Sequence, residues 1–330
     1  MKVLLLCHTD LVPPEDAKSK DIDRFTTPWI TEWDVKQALI KLGHEVWVVG
    51  IYDDLTPLTV AIESFQPNIV FNLLEEFSGQ PQMDYKIASL IELLNIPITG
   101  CSSKGLLIAR DKALSKKILK YHRIGTPQFF VMPKKSKKKK IPKTVKYPLI
   151  VKCLFEEASY GIAKASIVNS KDKLEERIQY IHEKLDQDAI VEEFIPGKEL
   201  FVGITGNKQL KTYPIWELVY ENVDDPSQEI YTQRAKWNEK YRDRKGINSK
   251  AAKLPKDIEE KVLKTCKKVY QVLSLNGCAR IDLRLTEENK IYILEANPNP
   301  NLAIDDELAK SAKFENTNYE DLIKSLINLA

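Results

Sequence analysis

The hydrophobic and polar positions of the first hundred residues alternate between strand and helix patterns. Three short apolar runs predict buried strands, and each is followed by a segment with helical spacing of its apolar residues. The strand runs are KVLLLC, EVWVVGI and NIVFNLL, and the helical segments are TEWDVKQALIKLG, TPLTVAIESF and MDYKIASLIELLN. Thr31 and Thr56 are expected to cap the first two helices, with Asp34 at the capping-box position of the first. Close alternation of this kind favours a parallel α/β sheet.

After about residue 100 the pattern becomes one of antiparallel strands with a few longer helices. The segments AIVEEFI, ELFVGITGN and LKTYPIWELVY are predicted to be neighbouring antiparallel strands, and GIAKASIV is predicted to be a further strand. The lysine-rich segment 134–146 lies between two other predicted strands, PQFFVM and YPLIVKCL. We interpret it as a solvated loop, with a patch for polyphosphate or nucleic acid as the alternative.

The composition mainly excludes several classes of protein and site. The 330 residues carry a formal net charge of +3, which is too small to indicate a nucleic-acid or membrane partner. The five cysteines form no CxxC pair and the four histidines are scattered, so we expect reduced thiols in a cytoplasmic protein without a zinc site. No apolar run approaches the roughly 20 residues of a membrane helix, and MKVLLLCHTD is interpreted as a first strand, not a signal peptide.

Two carboxylates lie in an otherwise apolar hairpin near the C-terminus. In ARIDLRLTEENKIYILEANPNPNLA, Asp282 and Glu295 flank the turn TEEN and can lie opposite each other on two strands. Asn297 projects to the same side as Glu295, because side chains alternate along a strand. Carboxylate and amide oxygens suit Mg²⁺, and two acids among apolar residues are unfavourable without a cation. The sequence therefore predicts a magnesium site, with a surface hairpin of exposed acids as the alternative.

These motifs resemble those of the ATP-grasp carboxylate–amine ligases, and most closely the D-alanine–D-alanine ligase family. The resemblance covers the whole chain, with the predicted loop between Thr9 and Ile30 as the least comparable part, and ARIDLRL…IYILEANPNP is its strongest motif. It implies an ATP-grasp fold of mixed α/β and α+β class. The expected domains are an N-terminal parallel α/β domain at 1–105 and two ATP-clamping α+β subdomains, the central or lid subdomain at 106–195 and the C-terminal one at 196–330.

The resemblance also implies roles for the hairpin residues. Asp282 would bind one Mg²⁺, Glu295 would bridge two and Asn297 would bind the second, with Mn²⁺ as a substitute metal. Arg280 would face the transferring phosphoryl group and the tetrahedral intermediate, and Lys236 would be the second catalytic residue.

An ATP site is implied by several lysines, by the segment CLFEEASYG and by the segment AIVEEFIPGKEL. By resemblance the lysines contact phosphates, small residues of the first segment form a lid, and the second segment holds the adenosine. Glu192 would accept from the adenine amino group and Glu199 from the ribose hydroxyls, whereas the alternative is a plain strand followed by a Pro-Gly turn. The expected ATP-binding residues are Lys112, Lys152, Ser159, Gly161, Glu192, Glu193, Phe194, Ile195, Glu199 and Lys236.

The amino-acid half of the site departs from the family pattern. Ala158 and Trp237 stand where the D-alanine enzymes place a serine and a tyrosine, and Asp305 and Asp306 stand where a small hydroxylated residue is usual. We therefore expect a bulkier acyl donor, or an acceptor with a positive charge, and not D-alanyl-D-alanine as the product. For NLLEEFSG a plain surface turn is the alternative to substrate binding. The candidate substrate contacts are Glu75, Glu76, Trp237, Asn301 and Asp306.

The expected function is ATP-dependent formation of an amide bond through an acyl phosphate, with release of ADP and phosphate. The implied cofactors are ATP and two Mg²⁺ ions, and the implied partners are small carboxylate and amine substrates, with a homodimer left open. A kinase of the same fold is one alternative, although it would need neither the arginine of ARID nor the NPNPN loop. A nucleotide-binding protein without catalysis is the other, and it would be supported by loss of a metal ligand or lysine.

Overall fold

The computed structural model describes residues 1–135, 141–142, 145–156 and 159–330. The predicted solvated loop at 134–146 falls largely outside these residues, and Ala158 falls outside them as well. The side chain of Trp237 also lies outside the described part of the chain, so its expected contact with substrate stays a prediction.

The N-terminal part is built on a three-stranded parallel sheet with the strand order β2-β1-β3. Residues 3–7 of the central strand are fully buried, because helices cover both faces of the sheet, as parallel sheets require. The predicted parallel α/β sheet is therefore confirmed. The elements are β1 (Lys2–His8), α1 (Ile30–Lys41), β2 (Glu45–Ile51), α2 (Thr56–Phe65), β3 (Ile69–Asn72) and α3 (Asp84–Leu93).

The starts of the first two helices differ from the predicted caps. Trp29 occupies the N-cap of α1 without a side-chain bond, and Leu55 occupies that of α2. Thr31 lies inside α1, where its hydroxyl donates to Asn301 Oδ1 at 2.9 Å. Asp34 accepts two hydrogen bonds from Arg24 and so does not complete a capping box. Both side chains therefore bond to residues outside α1 and not to the first turn of this helix.

The central part contains a four-stranded antiparallel sheet with the order β4-β7-β5-β6. Only two residues of the predicted strand GIAKASIV pair in this sheet, because Lys164–Ser166 form a 3₁₀ turn directly before them. The elements are α4 (Ser103–Arg110), α5 (Lys112–Tyr121), β4 (Phe129–Met132), β5 (Leu149–Cys153), β6 (Ile167–Val168), α6 (Lys171–Lys184) and β7 (Ala189–Glu193).

The C-terminal part contains a six-stranded antiparallel sheet with the path β11-β10-β8-β12-β13, and β9 pairs with β8. Its strands are β8 (Lys198–Thr205), β9 (Lys211–Thr212), β10 (Trp216–Tyr220), β11 (Ile247–Ala251), β12 (Cys278–Leu285) and β13 (Ile291–Asn297). Its helices are α7 (Gln233–Trp237), α8 (Glu239–Lys245), α9 (Lys256–Val272), α10 (Glu307–Phe314) and α11 (Tyr319–Ile327).

The prediction that AIVEEFI and ELFVGITGN are neighbouring strands is wrong. The first forms β7 of the four-stranded sheet and the second forms β8 of the six-stranded sheet. The chain leaves one sheet at Pro196 and enters the other after Gly197, whose φ of +139° favours glycine. A Cβ at Gly197 would lie 2.3 Å from the carbonyl oxygen of Leu285, so the crossing also needs a residue without a side chain.

The C-terminal helix joins the last part of the chain to the first. Leu322, Ile323 and Leu326 of α11 share one apolar core with Val35 and Leu39 of α1. This packing brings the loop after β13 close to the carboxyl ends of β1 and β3, where ligands of α/β sheets bind. No helix in the described ranges has the length and apolar character needed to cross a membrane.

Candidate active site

A cavity lies between the four-stranded and the six-stranded sheets, and we call it the inter-sheet cavity. β5 and β7 contribute one wall, and β8, β12 and β13 contribute the other. The cavity thus brings together side chains that are up to 183 positions apart, from Lys112 to Glu295. The predicted site residues that line it are Lys112, Lys152, Ser159, Glu192, Glu193, Phe194, Ile195, Glu199, Asp282 and Glu295.

The predicted hairpin of β12 and β13 is present, with Asp282 directly opposite Glu295 and Arg280 opposite Asn297. A register irregularity follows Asp282, and such bulges commonly re-aim side chains near active sites. Arg280 donates from Nε to Asp282 Oδ1 at 2.8 Å and from Nη2 to Asp282 Oδ2 at 2.9 Å. Asn297 Nδ2 donates to Asp282 Oδ2 at 3.0 Å. The three oxygen-bearing side chains predicted as metal ligands are therefore adjacent.

The protonation of the two carboxylates is set by their different neighbours. Burial raises the pKa of Asp282 to about 6, although Arg280 opposes this rise. Burial acts in the same direction on Glu295, but Lys112 and Lys152 outweigh it and lower the pKa of that carboxyl. Lys112 Nζ lies 3.6 Å from Glu295 Oε2. Glu295 is thus held as a carboxylate, which is the form that binds a cation.

The donor set fits a hard divalent cation. It offers two carboxylates and one amide, and an ionised carboxylate has about four lone-pair sites, so Asp282 can accept from Arg280 and still bind a metal. In the described part of the chain no three His, Cys, Asp or Glu side chains form a metal-binding group, so the amide of Asn297 is needed to complete the set.

A buried cluster of charge borders the inter-sheet cavity, which two of its members, Lys152 and Glu192, line. Lys152 Nζ donates to Glu192 Oε2 at 3.1 Å, and Lys116 Nζ lies 3.2 Å from Glu192 Oε1. Lys116 also donates to the carbonyl of Leu294 on β13, so it ties both sheets to α5. The sequence reasoning missed Lys116, although its position one helical turn after Lys112 places both lysines on one face of α5.

The buried carboxylate of Glu192 is expected to stabilise the fold in a pH-dependent way. Burial opposes its ionisation, but Lys116 and Lys152 outweigh burial and lower its pKa to about 2. Since this value lies below the roughly 4.3 of an unfolded glutamate, the carboxylate stabilises the fold above that pH, and its contribution is lost as the pH falls toward 2. Glu192→Gln should therefore lower the free energy of unfolding at pH 7 by about 3–5 kcal/mol, because two buried lysines lose their counter-ion.

Urea unfolding followed by circular dichroism between pH 7 and pH 3 measures this effect. The difference between wild type and Glu192→Gln should shrink toward the acid end of the series. Glu193→Gln is the matched control, because the neighbouring side chain is only half-buried and should change stability little. The same loss of stability at pH 7 and pH 3 would contradict the assigned role of the charge.

The end of the cavity on the side of Glu199 and Arg284 is apolar. Ile150, Phe194 and Ile230 pack together there. Next to them Glu199 accepts from Arg284 Nη2 at 2.6 Å, and Arg284 also donates to the carbonyls of Gly197 and of two further residues. Sequence reasoning missed Arg284, which is nearly fully buried and lines the cavity. Its place two positions after Asp282 on an otherwise apolar strand was an available indication.

The expected lid segment borders the cavity through Ser159, whereas Gly161 does not line it within the described residues. Both residues have positive φ values, of 60° and 68°. Gly161 N donates to Gln233 Oε1 at 3.1 Å, which connects the lid segment to α7. Lys236 lies on α7, and its charge acts on Asp306 and Glu307. Burial and Glu307 raise the pKa of Asp306 to about 8, and Arg280 and Lys236 oppose this rise only in part. The structure therefore places the charge of Lys236 near the two acids that neighbour Arg280, and Lys236 is not among the described residues that line the cavity.

Arg280 and Asp306 lie side by side at the start of α10. Arg280 Nη1 is 3.4 Å from Asp306 Oδ1 and 3.3 Å from Glu307 Oε2, and its guanidinium lies over the ring of Phe201. Asp306 caps α10 by accepting from the backbone N–H of Glu307. Its carboxylate thus has a structural partner, and the expected contact of Asp306 with a substrate stays a prediction.

A second cavity, which we call the N-terminal cavity, lies at the carboxyl ends of β1 and β3. Glu75, Glu76 and Asn301 line it together, as three of the predicted substrate contacts. Glu156 and Tyr160 line both cavities, so the two adjoin each other. Sequence reasoning missed Glu32 of α1, which also lines this cavity and is 3% exposed.

The sequence is similar to one family model and to proteins of other organisms. The family model described as D-ala D-ala ligase C-terminus matches residues 117–328. The protein y4sG of Sinorhizobium fredii, described as uncharacterized, is 27% identical across all of this chain and 97% of its own length. The D-alanine–D-alanine ligase of Aquifex aeolicus is 30% identical over 89% of this chain and 92% of its own length.

A solved structure supports the fold independently. The crystal structure of Bacillus anthracis D-alanine–D-alanine ligase complexed with ATP is similar with a TM-score of 0.74 at 20% identity, and the match covers 100% of this chain and 97% of the other. At this identity the likeness shows the ATP-grasp fold alone, and it confirms the predicted fold class. The family model and the 30% identical relative show that the chain belongs to the D-alanine–D-alanine ligase family of ATP-dependent ligases.

Proposed function

We propose that this protein joins a carboxylate and an amine into an amide, by an ATP-dependent reaction that passes through an acyl phosphate and releases ADP and phosphate. The observation that carries the proposal is the inter-sheet cavity, in which lysines lie between an apolar end and a carboxylate hairpin. The apolar end suits the base of a bound nucleotide, the lysines suit its phosphates, and the carboxylates suit its metal ions.

The nucleotide is proposed to lie along the cavity with its base among Ile150, Phe194 and Ile230. Glu199 is suited to accept from the ribose hydroxyls, since Arg284 holds its carboxylate at the wall. The contact of Glu192 with the adenine amino group, expected from the resemblance, competes with two lysines that already occupy its oxygens. We therefore assign Glu192 mainly to positioning these lysines.

The phosphates are proposed to bind Lys112 and Lys152. Both lysines face the cavity, and each already has a carboxylate partner, Glu295 for the first and Glu192 for the second. Phosphate oxygens can bind to the remaining donors of each ammonium group. The expected contacts of Lys236 and Gly161 require the lid segment to approach the phosphates.

Asp282, Glu295 and Asn297 would hold two Mg²⁺ ions, with Mn²⁺ as a substitute. When bound, such ions offset negative charge on the phosphates and on the transferring phosphoryl group. Arg280 is a positioning residue for Asp282 in the structure and is proposed to stabilise the oxyanion of the tetrahedral intermediate. Asn301, whose amide oxygen is held by Thr31 and by Ala303 N–H, would orient the loop at the reacting carbon.

The cavity must open to admit the nucleotide. Its volume is about 80 Å³, whereas ligand pockets usually enclose roughly 300–1,000 Å³. The proposed domains are 1–105, 106–195 and 196–330. The cavity would therefore open by a movement of the central subdomain away from the C-terminal one. The crossing at Gly197, close to the proposed boundary, is suited to act as a hinge.

Hydroxylamine trapping tests the proposed reaction. Incubation with ATP, Mg²⁺, a panel of carboxylates and hydroxylamine in place of the amine should release ADP and form a hydroxamate, identified by its mass. Omission of the carboxylate is the control, because ATP hydrolysis alone then gives no hydroxamate. A phosphorylated hydroxyl product, with no hydroxamate from any carboxylate, would instead establish a kinase and overturn the proposal.

A further inference from the structure

A third cavity, which we call the basic cavity, lies between the helices α7 and α8 and residues 162–164, which directly follow the lid segment. Its volume is about 890 Å³, within the roughly 300–1,000 Å³ of most ligand pockets. Ile162 lines both this cavity and the inter-sheet cavity, so the two adjoin each other. In the described part of the chain, no residue proposed to bind the nucleotide, the metal ions or the reacting groups lines it. The basic cavity is therefore separate from the proposed catalytic site.

The charged side chains that line the basic cavity are all positive. They are Lys164, Arg234, Arg244 and Lys245, and no aspartate or glutamate lines the cavity among the residues that the structure describes. Lys164 lies 3.3 Å from Glu229, whereas the other three form no ion pair within the described ranges. Cations that lie together without an anion repel one another, so an anionic ligand is favoured in this cavity.

The two arginines pack on one aromatic ring. The guanidinium carbon of Arg234 lies 4.8 Å from the centroid of the Tyr241 ring, and that of Arg244 lies 5.4 Å from it. A guanidinium group that packs on a ring keeps its N–H donors at its edge, where they can bind two oxygens of one anion. The ring restricts both side chains before a ligand arrives, which lowers the entropic cost of binding.

Neutral polar groups of the lining supply further donors. Asn238 Oδ1 accepts from the N–H of Tyr241 at 2.8 Å, and Thr232 Oγ1 accepts from the N–H of Ala235 at 3.1 Å. The amide nitrogen of Asn238 and the hydroxyl hydrogen of Thr232 therefore remain as donors beside the cations. A phosphate monoester carries a charge of about −1.5 to −2 at pH 7 and three acceptor oxygens, so it matches this set better than a single carboxylate.

The basic cavity spans a contact between the central and the C-terminal parts of the chain. Lys164 belongs to the central part, and the other three cations belong to the C-terminal part. At this contact Gln233 N donates to the carbonyl of Ile162 at 2.9 Å, and Gln233 Oε1 accepts from Gly161 N at 3.1 Å. The two parts make this contact while the inter-sheet cavity has a volume of only about 80 Å³, which is too small for a nucleotide.

We propose that the basic cavity binds a small molecule with a phosphate monoester group, and that this ligand opposes the opening of the inter-sheet cavity. Lys164 on one side and the two arginines on the other would bind the same phosphate, so movement of the central subdomain would break these contacts. The nucleotide needs the open form and the ligand favours the closed one, so each should weaken the binding of the other. This inference goes beyond the proposed reaction, because the ligand would regulate nucleotide binding without taking part in the chemistry.

Isothermal titration with glycerol 3-phosphate, inorganic phosphate and glycerol at constant ionic strength tests the site. Wild type should bind glycerol 3-phosphate more tightly than inorganic phosphate and should not bind glycerol. The double variant Arg234→Gln, Arg244→Gln should bind glycerol 3-phosphate at least about tenfold more weakly, because two charged donors are lost. Lys240→Gln, at an exposed position of α8 outside the cavity lining, is the matched control and should bind as wild type does. Circular dichroism checks the folding of each variant.

Tighter binding of inorganic phosphate than of glycerol 3-phosphate would overturn the assignment of a monoester. Unchanged binding by the double variant would overturn the site itself, because the ligand would then bind elsewhere, for example at the lysines of the inter-sheet cavity.

Titration of ATP at increasing glycerol 3-phosphate measures the coupling. In wild type the dissociation constant of ATP should rise at least about fivefold and then level off, whereas direct competition would give a rise without limit. Lys164→Gln removes the cation of the central part, so this variant should still bind glycerol 3-phosphate, but the dissociation constant of ATP should rise less than about twofold.

A rise that persists in the double variant, or binding of glycerol 3-phosphate without any effect on ATP in wild type, would overturn the inference. Coupling in wild type without hydroxamate from any carboxylate would support the inference and overturn only the proposed ligase reaction.

Discussion

Glu295→Gln is expected to lower kcat by about 100- to 1,000-fold while the fold is retained, in the range typical of losing one preorganised electrostatic group. Glu295 lies opposite Asp282 in the hairpin and close to Lys112, and its neighbours lower its pKa, so the wild-type group is a carboxylate. The amide has nearly the same shape but no charge, so the proposed bridge between two Mg²⁺ ions is weakened. Turnover should be measured over a range of Mg²⁺ concentrations, with circular dichroism as the check of folding.

Glu288→Gln is the matched control for this prediction. Glu288 lies in the exposed turn of the same hairpin, where loss of one charge should leave turnover within about twofold of wild type. The defect of Glu295→Gln should be largest at limiting Mg²⁺. Wild-type turnover of that variant at limiting Mg²⁺ would remove the metal assignment.

Replacement of Arg280 is expected to have the second large effect, and the choice of variant separates stability from catalysis. Arg280 is paired with Asp282, Asp306 and Glu307, so Arg280→Ala leaves three carboxylates without their cation. That variant should lose about 3–5 kcal/mol of unfolding free energy. Arg280→Lys keeps the positive charge and should remain folded, but it loses the two-point contact with Asp282.

Hydroxamate formation by Arg280→Lys should fall by at least about 100-fold, whereas its affinity for ATP should change by less than about tenfold. Both quantities can be measured on one preparation, by product mass and by nucleotide titration. Arg123→Lys, at an exposed position after α5, controls for the substitution itself. A parallel loss of ATP affinity and turnover would show that Arg280 acts through nucleotide binding and not in the chemical step.

The two cavities differ in how far the sequence indicated their residues. The inter-sheet cavity contains nearly every residue expected to bind ATP, whereas the N-terminal cavity contains an acid, Glu32, that no motif indicated. Asp305, which stands where the family usually has a small hydroxylated residue, forms an ion pair with Arg24 of the loop before α1.

Local sequence patterns were sufficient to predict the elements whose side chains follow one clear period. The buried strand of residues 3–7, the amphipathic helix α9 and the hairpin of β12 and β13 were predictable, because burial of one face or of a whole strand leaves its pattern in the local sequence. The opposition of Asp282 and Glu295 needed more than the turn, because the pairing that starts at Leu285 and Ile291 shifts by one residue after Leu283.

The sheet that each strand joins, and the charged side chains that lie close together, depend on the tertiary fold and could not be predicted from local sequence. β7 and β8 are separated by four residues but belong to different sheets, since the turn at Pro196 and Gly197 redirects the chain. Glu192 of β7 lies close to Lys116 of α5 and Lys152 of β5. The hydroxyl of Thr31 donates to Asn301, 270 positions away along the chain, and does not cap α1. Such contacts depend on packing between distant segments, so the local spacing of residues does not predict them.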